Sequence, residues 1–193
     1  MPLFIKNDIK LFFIHIPRTA GRYLVKKFEK NNFKVIHNDH SQYINNSNIP
    51  HLQYPFYNLL LGVKDVYQFT IVRNPVDRFI SMCRIVSYDF NKIKTKKDFL
   101  KAMEYFRYET REQNWFIPQH KFVSDSTPYW KIENKIDNNF FKFINIKIKN
   151  KKTTYLKDEL YDDNPKPVLS DEVIRHVKNY YKKDYERFNY AFK

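Results

Sequence analysis

One segment constrains the fold more than any other: Lys10–Ile16 (KLFFIHI) is a nearly continuous apolar run that stops at Pro17. A run without polar alternation is how a strand buried on both faces reads. Beyond the proline the period changes. Between Gly21 and Asn31, Leu24 and Phe28 stand four apart with Val25 beside them, which is the spacing of an apolar helix face. Phe33–His37 (FKVIH) reads as a second short strand. Tyr67–Val72 (YQFTIV), rich in aromatic and β-branched residues, reads as a third. This strand–helix–strand order predicts an α/β domain around a central, mostly parallel sheet.

Further elements follow from caps and periodicity. Asn74 is placed to cap a helix with Pro75 in its first turn and an apolar face of Phe79, Ile80, Cys83 and Val86. Helices are predicted over Lys96–Tyr108 and over Ser170–Phe188, the latter started by Ser170 with Asp171 and Glu172 behind it. Partial alternation over Phe140–Ile148 predicts a fourth strand. Asn38–Leu61 and Asn150–Leu169 read as loops.

The length of 193 residues suits one domain, residues 1–193. With 42% hydrophobic and 18% aromatic residues, the chain buries a core and is not a disordered tail. A formal net charge of +14 attracts anions, but charge alone does not choose among nucleic acid, anionic lipid, a phosphorylated nucleotide and an acidic glycan. The single cysteine, Cys83, excludes an intrachain disulfide and a cysteine-based metal cluster. The apolar stretch Leu11–Ile16 is too short to span a membrane and lacks a signal-peptide layout. A cytoplasmic protein without a membrane partner is expected.

The junction after Ile16 is where a site is expected. Ligands of open α/β sheets bind beyond the carboxyl ends of the strands. Successive amides at a strand-to-helix turn form an anion cradle, helped by the helix N-terminus. Gly21 lets the backbone approach closely, Thr19 brings a hydroxyl, and Arg18 brings a fixed charge with several donors. An ordinary turn with exposed basic residues fits the same residues. The segment is not a Walker A loop, because no Lys followed by Ser or Thr opens the helix.

The stretch from Phe12 to Gly21 (FFIHIPRTAG) resembles the HIPKTAG phosphosulfate loop of the sulfotransferases that use 3′-phosphoadenosine 5′-phosphosulfate (PAPS). The similarity is to the carbohydrate branch that includes heparan sulfate 2-O-sulfotransferase-like enzymes. Thr70–Ser81 (TIVRNPVDRFIS) resembles that family's 3′-phosphate motif. Trp115–Gln119 (WFIPQ) resembles its PQ segment, and Tyr181–Tyr190 (YKKDYERFNY) resembles its C-terminal tail. The motifs cover nearly the whole chain in the family's order. The resemblance implies a P-loop-kinase-like three-layer fold and transfer of a sulfuryl group from PAPS to a hydroxyl acceptor on a carbohydrate, releasing PAP. No metal and no nucleic-acid partner are implied.

It also implies site residues. Arg18, Thr19, Ala20, Gly21, Arg22 and Tyr23 hold the 5′-phosphosulfate, with Arg18 also acting in catalysis, and Arg73 and Ser81 hold the 3′-phosphate. Arg73 ends the third strand and Ser81 lies about two turns into the next helix. Arg78 serves either the phosphate or the helix, paired with a carboxylate. Two positions depart from the family pattern: Arg18 replaces the usual lysine and Arg22 a small hydroxyl residue. Arginine braces a leaving phosphate but does not donate a proton at neutral pH.

Related enzymes place a histidine pair after the second strand. Here His37 and His40 stand one residue further apart, and His37, nearer the strand end, is the favoured general base. His15 reads as a core residue, His120 is placed to line the acceptor cleft, and His51 and His176 read as surface residues. Glu109 and Glu112 are weaker base candidates. A nucleotide kinase of the same fold and a non-catalytic anion- or glycan-binding module are the rival readings.

Overall fold

A computed structural model describes residues 1–38, 43–44, 47–48, 51–63, 65–86, 88–108, 114–146 and 168–192. The elements run β1 (Leu3–Lys6), β2 (Ile9–Ile14), α1 (Gly21–Glu29), β3 (Lys34–Ile36), β4 (Tyr43–Ile44), β5 (Ser47–Asn48), α2 (Phe56–Leu61) and β6 (Tyr67–Val72). They continue with α3 (Pro75–Val86), α4 (Lys96–Tyr108), β7 (Tyr129–Lys131), α5 (Asn138–Phe143), α6 (Asp171–Tyr180) and α7 (Lys182–Arg187).

The main sheet has five strands in the order β3-β1-β2-β6-β7. β2, β6 and β7 are parallel neighbours, while β1 is antiparallel to both β2 and β3. The sheet is therefore mixed: four strands share one direction and β1 opposes them. The carboxyl ends of β2, β3, β6 and β7 consequently meet at one edge.

Successive residues of β2 feed opposite faces. Leu11 and Phe13 pack with Phe69 and Ile71 of β6 against Leu24, Val25 and Phe28 of α1 and Phe140 and Phe141 of α5. Phe12 and Ile14 join Val72, Tyr57, Phe122 and Phe188 on the other face. This two-sided burial explains the unbroken apolar run. A third cluster packs α3, α4, α6 and α7 together through Phe79, Phe99, Phe106, Val177 and Tyr181. Among the described residues no helix is long and apolar enough to cross a membrane.

Several expectations change. β1 precedes β2 as a hairpin turned at Asn7-Asp8, with Asn7 at φ 51°. Asparagine tolerates that left-handed conformation and is common in such turns. The strand expected over Phe140–Ile148 is instead the helix α5. Asp137 caps it by accepting from the Asn139 and Phe140 amides, and Phe140, Phe141 and Ile144 fall on one buried face. Helix α2 and the β4–β5 pair lie inside the stretch read as the loop Asn38–Leu61. The C-terminal helix is two helices, broken at Tyr181. The expected loop Asn150–Leu169 falls almost entirely outside the described residues.

Phe28 carries much of the α1 contact: it is fully buried and stacks on Phe4 with ring centroids 4.0 Å apart. Phe28→Ala is expected to cost about 3–5 kcal/mol of stability, measurable by urea unfolding.

Candidate functional site

The β2–α1 loop sits at the carboxyl edge of the sheet, where the backbone curls sharply. Arg18 and Ala20 both adopt φ 68°, a left-handed conformation unusual for residues with a Cβ. Ala20 is the cap of α1 and supplies no side-chain bond to it. Gly21, the first residue of α1, has no room for a Cβ, which would collide with the imidazole of His15. Thr19 is buried and donates its hydroxyl to the Ile16 carbonyl at 2.8 Å. That hydroxyl braces the turn, so Thr19 offers a ligand its backbone rather than its side chain. Arg22 is exposed and Tyr23 half-buried on the first turn of α1.

The Thr70–Ser81 segment arrives at the same edge because β6 runs parallel to β2. Asn74 caps α3 as expected, accepting from the Val76 and Asp77 amides at 3.0 and 3.4 Å. Ser81, buried on α3, accepts a hydrogen bond from Arg18 Nε at 3.0 Å. Two residues 63 apart in sequence, named for two different anionic groups, are thus in direct contact.

Arg73 is positioned by its own backbone. Its N–H donates to Gln119 Oε1 at 3.0 Å and its carbonyl accepts from Gln119 Nε2 at 2.8 Å. Gln119 is fully buried and is itself held, its amide donating to Asp184 Oδ2 at 2.8 Å. Asp184 is also buried and accepts from the His120 amide at 2.9 Å and pairs with His120 Nδ1 at 2.7 Å. The segments Trp115–Gln119 and Tyr181–Tyr190 therefore act as a brace behind Arg73. At the next strand end, Glu133 accepts from the Asn74 amide at 2.6 Å and from the Tyr190 hydroxyl at 2.9 Å. Lys131 Nζ donates to the Asn189 carbonyl at 2.6 Å.

Arg78 does not pair with a carboxylate. Only 1% exposed, it donates from Nε to the Pro17 carbonyl at 2.9 Å and through its two terminal nitrogens to the Ile117 and Trp115 carbonyls at 2.9 and 2.6 Å. It ties α3 to the β2–α1 loop and to the stretch before Gln119. Burial pulls its pKa below the usual guanidinium value, and the nearby Tyr181 and Asp184 push it back up.

The histidines divide differently from expectation. His37 follows β3 at φ 59°, half-buried. Burial, and then the nearby Met1 amine, hold its pKa below the usual 6.5, so its neutral form prevails at pH 7. It lies two strands from β2, about 10 Å away by the usual strand spacing. His40, Glu109 and Glu112 lie outside the described residues. His15 is in the core as expected, stacked on Phe13. His51 is not a surface residue: it is buried, with its ring edge-on to His15 at 4.7 Å. His176 is half-buried, 3.5 Å from Glu172.

Sequence reasoning missed the brace of Asp184 and Gln119, and it missed His51. The place of Asp184 within the Tyr181–Tyr190 tail segment was the available signal for it. For His51, a loop assignment hid the burial.

Arg78→Lys keeps the charge but cannot span three carbonyls. It is expected to cost about 3–5 kcal/mol in urea unfolding, whereas Arg175→Ala, which removes a surface pair 3.9 Å long, should cost under about 1 kcal/mol. Set beside known proteins, the chain matches no family model, no curated protein and no solved structure.

Proposed function

We propose that the chain is a sulfotransferase that moves a sulfuryl group from PAPS to a hydroxyl acceptor, a carbohydrate, on a P-loop-kinase-like three-layer domain. The observation that carries this reading is the 3.0 Å contact between Arg18 and Ser81, which joins the two segments expected to hold the two ends of one doubly anionic nucleotide.

The donor set fits such a ligand. Arg18 and the curled β2–α1 backbone suit the phosphosulfate, because guanidinium and helix-start amides favour anions. Arg73 and Ser81 would hold the 3′-phosphate. Bound PAPS would supply an activated sulfuryl group, leaving PAP as product. Arg18 stabilises negative charge as it develops on the departing phosphate, and its fixed charge rules it out as the proton donor. The brace of Asp184 and Gln119 keeps Arg73 in place before the ligand arrives, so positioning is the fold's main contribution. An imidazole at this edge takes the acceptor proton. His37, which follows β3 at this edge, is neutral at pH 7 and suited to that role.

Arg73→Ala is expected to weaken PAP binding at least tenfold in calorimetry, about 1.4 kcal/mol; unchanged affinity would overturn the site. Thermal shift with PAP, ATP and heparin separates the rivals. Stabilisation by ATP but not PAP would indicate a kinase, and heparin binding without PAP binding would indicate a non-catalytic anion module. With His37 as the base, a depressed pKa means that the active, neutral form persists down through pH 6.5. Activity should then fall only below about pH 6.5. A pH–rate profile checks this, and an acid limb well above that value would rule His37 out.

A further inference from the structure

A carboxylate reaches the sheet edge beside Arg73. β6 and β7 are parallel neighbours with Val72 opposite Lys131, so Arg73 and Glu133 both follow the carboxyl ends of adjacent strands. Glu133 lies in the short turn Ile132–Asn134 and is exposed. Its Oε1 accepts from the Asn74 N–H at 2.6 Å, a short bond of the kind an ionised acceptor makes. That N–H belongs to the same peptide whose carbonyl, on Arg73, accepts from Gln119 Nε2. Gln119 thus holds one side of the Arg73–Asn74 peptide and Glu133 the other.

The second oxygen of Glu133, Oε2, accepts from the Tyr190 hydroxyl at 2.9 Å. Tyr190 is fastened in turn: Lys131 Nζ lies 4.4 Å from its ring centroid and donates to the Asn189 carbonyl at 2.6 Å. Burial, and then the Glu133 carboxylate, push the Tyr190 hydroxyl well above the usual tyrosine value, while Arg73 pulls it back. Tyr190 therefore feels both the anion and the cation of this edge.

We propose that Glu133 is a specificity-determining residue of the nucleotide site, an internal anion on the Arg73–Asn74 peptide that a 3′-phosphate must displace. This rests on the sulfotransferase reading above. The two holds on the peptide differ in kind. Gln119 is fully buried and neutral, which suits a permanent brace. Glu133 is an exposed ion, and exposed ionic contacts contribute little to stability, so another anion can take its place at small cost. Like charges do not share such a place cheaply. A nucleotide with a 3′-phosphate brings the charge to displace the carboxylate. One without it leaves Glu133 seated, and the carboxylate returns when PAP departs.

Calorimetry with PAP and with adenosine 5′-monophosphate, which lacks the 3′-phosphate, tests this on wild type and Glu133→Gln. Removal of the competing charge should tighten PAP binding at least about threefold and move the monophosphate by less than about 1.5-fold. Unchanged or weaker PAP binding would make Glu133 a brace and overturn the proposal. Equal tightening of both nucleotides would overturn it too, because the charge would then act on the whole site. Amide NMR on wild-type protein gives a second readout. Saturation with PAP should shift the Asn74 N–H signal in the direction that Glu133→Gln shifts it without ligand; an Asn74 signal unmoved by PAP would show that the carboxylate stays. Should Glu133→Gln fold poorly, the response of the wild-type Asn74 signal to PAP still decides. If wild type and variant both fail to bind PAP, the donor reading falls and this proposal with it. PAP binding that is indifferent to Glu133 overturns the proposal alone.

Discussion

The guanidinium of Arg78 is the constraint on which the rest of the site depends. A buried charge is costly unless its donors are satisfied, and this one is satisfied by carbonyls from two separate chain segments. Those carbonyls need it in return. Residues 115–117 lie outside any helix or strand, so their polar backbone groups require outside partners. Arg78 takes Trp115 and Ile117, and the Tyr181 hydroxyl takes Phe116 at 2.7 Å. One side chain of α3 thereby fixes both the exit of β2 and the approach to Gln119.

From that centre the order passes outward in steps. Asp184 receives the Gln119 and His120 amides, Gln119 clasps both backbone groups of Arg73, and Arg73 is left with its peptide fixed at the sheet edge. Buried side chains behind the sheet edge thus determine where the Arg73 peptide stands. This is the arrangement expected where a site must be rigid before it binds, since ordering a loop on binding subtracts from affinity.

The elements whose pattern matched their burial were legible in sequence. Tyr67–Val72 and Lys96–Tyr108 carry the expected bounds, and α1 and the Asn74 cap behave as their residues predict. The failures have physical causes. Leu3–Lys6 is too short to stand out as a strand on its own, although Asn7-Asp8 between two apolar runs was a hairpin signal. Phe140–Ile148 has an aromatic density that suits either period, and the Asp137 cap decided for helix. That Arg18 and Ser81 meet at one sheet edge was legible only through the motifs that carry the resemblance. Their supports were not, because a buried Gln119 or Asp184 declares itself only through partners distant in sequence.

The β2–α1 loop reaches its curled shape with few glycines. The chain has only Gly21 and Gly62, so the left-handed turns fall to Arg18 and Ala20. Each such residue costs of order 1–3 kcal/mol and persists only where its surroundings over-determine it. Here they do. Thr19 bonds Ile16, Arg78 bonds Pro17, Arg18 bonds Ser81, and His15 fills the space that a side chain at residue 21 would require. Four contacts on five consecutive residues replace the flexibility of a glycine-rich loop with a fixed shape. A loop held in that way has little entropy left to lose. A ligand bound there would meet a backbone shape already set, at little cost in ordering the loop.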